Sequence, residues 1–179
     1  MYQPKTIFTR LALDSIIHFL DTKKIMEIPR DLLFKEPMLA ERAGCFVSLH
    51  KCCGDLRGCI GTIEPAQENL CAEMIENAIG AAFRDSRFSP LKKDELDEIN
   101  LSVDVLSIPE RITGPGLLDP EKYGVIVSDG LFRRAVLLPN IRSVRTIEEQ
   151  VRIVKKKADL GGYADEELEF YRFRAKRYY

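Results

Sequence analysis

Two short stretches, Gly54-Asp55 and Asp129-Gly130, constrain this chain more than anything else in it, because each stands between runs of residues that suit β-strands. Glycine beside aspartate is a tight-hairpin signal, since glycine reaches left-handed backbone dihedrals without a Cβ clash. The first turn joins residues 46–51 to 56–61, and the second joins 125–127 to 132–138. After each hairpin comes a helical period and then a further strand. Leu70, Cys71, Met74, Ile75, Ala78, Ile79, Ala82 and Phe83 form a helical stripe, with the helix expected to start at Glu64-Pro65. Residues 99–106 then alternate apolar and polar, as a strand with one wet face does. In the second half Thr146-Ile147-Glu148-Glu149 reads as a capping box, opening a helix through Val151, Val154 and Ala158, and a strand follows around 169–175. Tight turns and helical returns favour an α+β fold, an antiparallel or mixed sheet with packed helices, over a doubly wound one. The order hairpin, helix, strand occurs twice, in 46–106 and 123–175, so internally duplicated units are expected. An amphipathic helix over 7–20 precedes them, and a connecting segment with a helical turn near Leu32 spans 21–44.

The first hairpin carries the chemistry. In Leu56-Arg57-Gly58-Cys59-Ile60-Gly61, a guanidinium and a thiol stand two residues apart, and residues so spaced on a strand share a face. With Gly54-Asp55 at the turn centre, His50 opposes Cys59, Leu49 opposes Ile60 and Cys52 opposes Arg57. A slip of one residue would mix polar and apolar side chains on both faces. This register collects Ser48, His50, Cys52, Arg57 and Cys59 on one side. A cation beside a thiol favours the nucleophilic thiolate, so the catalytic candidates are Cys59 as nucleophile, Arg57 as its stabiliser and His50 as base. Gly58 and Gly61 would let a ligand or another backbone approach. The competing reading makes Cys59 a small packed side chain between two glycines. Asp85 and Arg87 leave the following helix either as a local ion pair or as an anion clamp.

Leu-Arg-Gly-Cys-Ile-Gly at 56–61, together with Asn77-Ala78-Ile79-Gly80-Ala81-Ala82-Phe83-Arg84-Asp85-Ser86-Arg87-Phe88-Ser89-Pro90-Leu91, resembles the AMMECR family over nearly the whole chain. The resemblance continues through Val103-Asp104-Val105-Leu106-Ser107, Leu137-Leu138-Pro139 and Tyr171-Arg172-Phe173. Cys52-Cys53 and Ala135 depart from the usual pattern. The resemblance implies one AMMECR-type domain over 1–179, with lobes at 1–110 and 111–179 as a subdivision. The candidate substrate-binding residues are Gly58, Gly61, Asn77, Asp85 and Arg87. The family's prokaryotic members are similar to protein A of the AmmeMemoRadiSam system, which implies a Memo-type protein and a radical SAM protein as partners in a modification pathway.

Composition limits the rest. With 45% hydrophobic and 31% charged residues the chain reads as a globular protein, and no apolar run approaches membrane-spanning length. No signal-peptide pattern is seen at the start, so a cytoplasmic protein is expected. Five cysteines without paired CxxC spacing favour reduced thiols over disulfides or a metal, and neither a Walker nor a dinucleotide glycine loop calls for a cofactor. From Leu131 onward 12 Lys and Arg stand against 7 Asp and Glu. That excess reads as a solvated face, because the net charge of the whole chain is -1 and no nucleic-acid motif accompanies it. Two functions remain open: binding or modification of a small substrate at a cleft around Cys59, and a non-catalytic interaction module whose glycine-flanked strand accepts a partner segment.

Overall fold

The structure, a computed structural model, describes residues 3–179. The chain forms two compact units, one of residues up to Val105 together with Lys176–Tyr179, the other of Leu106–Ala175.

In the first unit, helix α1 (Ile7–Thr22) starts at a capping box in which the Thr6 hydroxyl accepts from the Thr9 N–H. The short helices α2 (Arg30–Lys35) and α3 (Pro37–Ala40) fill the proline-punctuated connection. Strands β1 (Cys45–Lys51) and β2 (Leu56–Gly61) form the hairpin, and β3 (Ile99–Leu106) lies on the other side of β1. Helix α4 begins at Leu70, five residues later than its first proline suggests, because Asn69 is the residue able to cap it: its side chain accepts from the Ala72 N–H at 2.9 Å. Both β1–β2 and β1–β3 are antiparallel. One face of this sheet, carrying Cys45, Val47, Leu49, Leu101 and Val103, packs in a single core with Leu11, Ala12 and Ile16 of α1 and with Met74, Ile75 and Ala78 of α4. Ser15 is tolerated on the α1 stripe because its hydroxyl donates to the Leu11 carbonyl at 2.6 Å.

The second unit contains β4 (Glu110–Ile112), β5 (Gly124–Ser128), β6 (Arg134–Leu137), helix α5 (Ile147–Lys157) and β7 (Glu169–Phe173). The capping box at Thr146 and Glu149 forms as the spacing requires. The short strand β8 (Ala175–Tyr178) follows β7 but belongs to the sheet of the first unit. The strand orders are β2-β1-β3-β8 in the first sheet and β4-β7-β5-β6 in the second. In each, the leading hairpin strand lies between its turn partner and the strand that follows the helix. This is a match of connection order, and the architecture is α+β with antiparallel sheets.

Candidate functional site

The first hairpin turns differently from the two-residue loop expected for it, and the difference moves its side chains. Cys52 and Cys53 occupy the turn centre. The Gly54 N–H donates to the Lys51 carbonyl and the Lys51 N–H to the Asp55 carbonyl, both at 2.8 Å, while Gly54 takes the left-handed conformation at φ 98°. Pairing runs His50 to Leu56, then shifts by a β-bulge, so that Leu49 pairs with Gly58 and Ser48 with Cys59. The expected pairing of His50 with Cys59 is therefore corrected by two residues. That shift preserves the face, and Ser48, His50 and Cys59 still lie on the same side of the sheet.

Arg57 is the extra residue of the bulge, and the bulge redirects it. Its side chain is 6% exposed and forms a two-pronged pair with Glu95, with Nε to Oε2 at 2.7 Å and Nη2 to Oε1 at 2.9 Å. It also donates to the Ser89 carbonyl at 3.0 Å. The expectation that Arg57 stabilises a Cys59 thiolate is corrected accordingly, since its charge is matched by Glu95. Glu95 is held below the usual carboxylate range, chiefly by its hydrogen bond from Arg57. Nothing in the local sequence marked Glu95, 38 residues away. A polar residue on an otherwise apolar strand, needing a buried partner, was the one available signal.

The glycines are filled by the fold itself. A Cβ at Gly58 would run into the carbonyl oxygen of Ala81, and one at Gly61 into the ring of Phe46. Ala81 lies in a π-helical segment, Gly80–Arg84, that continues α4. The approach expected for a ligand at Gly58 and Gly61 is thus the approach of another backbone and of a ring. Asn77, the third member of the expected binding set, is buried and donates to the Cys45 carbonyl at 3.1 Å and to the Thr62 hydroxyl at 3.3 Å. Buried Glu73 joins the network, accepting from the Thr62 hydroxyl and the Gln67 N–H. These two residues tie the chain after β2 to α4.

Asp85 and Arg87 seal the outer edge of β2. Asp85 Oδ2 accepts from the Cys59 N–H at 2.9 Å, and Arg87 Nη2 donates to the Cys59 carbonyl at 3.2 Å. The two side chains also pair with each other, at 2.9 and 2.7 Å. The Arg87 guanidinium, helped by the backbone N–H groups of Cys59 and Arg87 and opposed by burial, holds the Asp85 carboxyl well below the usual range. The ion pair is present, and both groups are engaged with strand backbone. A partner strand adding at Cys59 would have to displace both.

The face of the sheet away from the helices is the part open to chemistry. The Ser48 hydroxyl lies 3.3 Å from Cys59 Sγ, placed to donate to it. Along the same face β1 sets Ser48 beside Ser102 and His50 beside Asn100, while Asp104 takes a two-pronged pair from Arg177 of β8, both contacts at 2.8 Å. His50, Asn100, Ser102 and Arg177 line a cleft of about 540 Å³, together with Lys5, Lys51 and Cys52. Burial, and then the charge of Arg177, lower the His50 pKa, against a smaller opposing pull from Asp104. Of the five free cysteines, Cys45 and Cys71 are buried, with pKa values pushed by burial to about 12 and about 11. Cys52 and Cys53 are exposed and Cys59 is half-buried. Among the described residues no group of three or more His, Cys, Asp or Glu side chains is placed to hold a metal.

In the second unit the cationic excess is largely tied down. Lys155 bonds Asp165 and the Tyr163 carbonyl, Lys157 the Val136 carbonyl, and Arg172 bonds Glu110 and lies over the Tyr123 ring. Leu131 and Phe132 sit at the hairpin tip, 78% and 95% exposed. Their backbone is ordered by Asp129 Oδ1, which accepts from the N–H groups of Leu131, Phe132 and Arg133. Among the described residues no helix is long and apolar enough to cross a membrane.

Residues 9–178 match the AMMECR1 family model. A protein of Thermotoga maritima is 46% identical over 171 residues, covering 96% of each chain. A longer protein of Clostridium acetobutylicum is 46% identical over 167 residues, and these span 35% of its length. The crystal structure of uncharacterized protein PH0010 from Pyrococcus horikoshii superposes with a TM-score of 0.85 at 33% identity, covering 95% of this chain and 88% of that one.

Proposed function

The chain belongs to the AMMECR1 family, and from that premise we propose that its first unit holds a small substrate on the outer face of the β2-β1-β3-β8 sheet, against Ser48, His50 and Cys59. One observation carries the reading: the face that places the Ser48 hydroxyl against Cys59 Sγ continues through His50 and Ser102 into a cleft of ligand size. Cys59 is a half-buried thiol with the Ser48 hydroxyl against it, and His50, held toward its neutral form chiefly by burial, stands on the same face two residues further along β1. Gly58, Gly61, Asn77, Asp85 and Arg87 then serve as the frame that sets this face. The setting is a cytoplasmic modification pathway that includes a Memo-type protein and a radical SAM protein. Size-exclusion chromatography of the three purified proteins tests that setting, and elution of this chain unchanged in the mixture counts against it.

The site is tested by following backbone amide shifts of labelled protein with a panel of small neutral amides and alcohols. Changes are expected to cluster at Ser48, His50, Cys59 and Ser102. Clustering instead along Ile147 and Val151, which line a separate cleft of about 520 Å³ in the second unit, would move the site. A second reading, that the protein is an interaction module, draws on the exposed and ordered Leu131-Phe132 tip. It is favoured if Phe132→Ser abolishes a defined complex while leaving ligand shifts on the first sheet intact.

A further inference from the structure

We propose that the ligand of the first-unit cleft is a small oxyanion, a phosphate or a carboxylate, received by Lys5, Lys51 and Arg177. This deepens the reading above and rests on it. Among the described residues Lys5, Lys51 and Arg177 line the cleft with no Asp or Glu side chain, and Tyr179, which also lines it, hydrogen-bonds Arg177. The acid that lies beneath, Asp104, is 2% exposed, and its carboxylate is matched in a two-pronged pair with Arg177. That pair does two things: it neutralises the buried carboxylate, and it locks the guanidinium against the sheet so that little side-chain entropy is lost when a ligand arrives. Lys5 and Lys51 make no ion pair among the described residues, and their charges stand uncompensated at the rim.

The remaining lining suits the same ligand. His50 is held toward its neutral form, chiefly by burial and then by Arg177, and so supplies an N–H donor without a proton having to be taken up first. Ser102, 4% exposed, adds a hydroxyl to the lining that can donate to an oxyanion. A neutral ligand of the same size would leave the rim lysines unmatched. A cationic one would meet the like charges of Lys5 and Lys51, since the charge of Arg177 is already matched by Asp104.

The test is an amide-shift titration of the whole chain with inorganic phosphate and, separately, with sodium acetate, each against sodium chloride at equal ionic strength. The inference expects saturable shifts at Lys51, Cys52, Asn100 and Ser102 with at least one oxyanion and none with chloride; the stronger of the two arms identifies phosphate or carboxylate as the group read. In Lys5→Met and Lys51→Met, whose side chains are outside the core and whose loss leaves the Asp104–Arg177 pair intact, the dissociation constant should rise by about tenfold each, as removal of one charge-assisted contact gives. Shifts that do not saturate, that chloride reproduces, or that persist unchanged in the double variant overturn it. Neutral fragments that cluster on Ser48, His50 and Cys59 while neither oxyanion binds leave the substrate face standing and remove the oxyanion. Failure of both series removes the face as well.

Discussion

The two hairpins follow the same order of connections and place their irregularities in opposite places. In β1–β2 the irregularity lies within the ladder. A bulge at Arg57 turns a guanidinium inward to Glu95, glycines bring a helix backbone and a ring against the strand, and polar side chains line the outer face. In β5–β6 the ladder is regular from Val125 opposite Leu137 to Ser128 opposite Arg134, and what is unusual is confined to the turn, where Leu131 and Phe132 face solvent. The contrast teaches where sensitivity to substitution should sit. A bulge and a backbone contact have few ways to relax, whereas a turn tip has many.

Gly58→Ala should have the largest effect. Its Cβ meets a carbonyl oxygen in the middle of a helical segment, which cannot swing aside as a side chain end would, and we expect a loss of about 3 kcal/mol in urea unfolding. A loss below about 1 kcal/mol would mean that the Ala81 segment yields readily. Arg57→Met comes next, at about 2 kcal/mol, because it strands Glu95, which is itself 28% exposed and can recover part of its hydration. The same variant should leave the alkylation rate of Cys59 unchanged. A slower rate would restore Arg57 as a neighbour of the thiol.

Acid should act on the first hairpin in a graded way. Asp85 and Glu95 both have folded pKa values below their unfolded ones, so the stability they contribute is present above about pH 4 and is lost as pH falls through the folded values. Asp85→Asn keeps an acceptor for the Cys59 N–H but removes the titrating charge. It should cost about 1 kcal/mol at neutral pH and flatten the decline of thermal midpoint on acidification, and an unaltered acid profile would show that the edge seal adds nothing. The smallest effect belongs to the second hairpin: Phe132→Ser should change stability by less than about 0.5 kcal/mol, since the ring is 95% exposed. A larger loss would show that the ring packs against the protein in solution.

Most of the architecture was legible because it rests on periodicity. The α1 and α4 stripes, the alternation from Ile99 to Leu106 and the capping box at Thr146 each state a local preference that the packing then agrees with. The register was not legible, because the turn is centred on Cys52-Cys53, two residues earlier than Gly54-Asp55, and a bulge has no hydrophobic pattern of its own. For the same reason Arg57 and Cys59 looked like neighbours: their spacing implies a shared face only on an unbulged strand. Partners fixed by tertiary approach, Glu95 for Arg57 and Arg177 for Asp104, lie 38 and 73 positions away and leave no trace at short range. The glycines were legible as places of close approach but not as to what approaches.

The placement of β8 sets the timetable by which this chain can fold. Apart from its first and last residues, the second unit is synthesised between β3 and β8, yet β8 completes the sheet of the first unit and carries the arginine that neutralises Asp104. Until it arrives, the first unit has an unfinished sheet edge and an uncompensated carboxylate. The second unit, by contrast, is contiguous in sequence and depends on no later segment. Closing the first unit spans a separation of 73 residues, the kind of distant pairing that slows a two-state folder. Refolding should therefore show the second unit protected from hydrogen exchange first, with the Asp104–Arg177 closure as the late, rate-determining event.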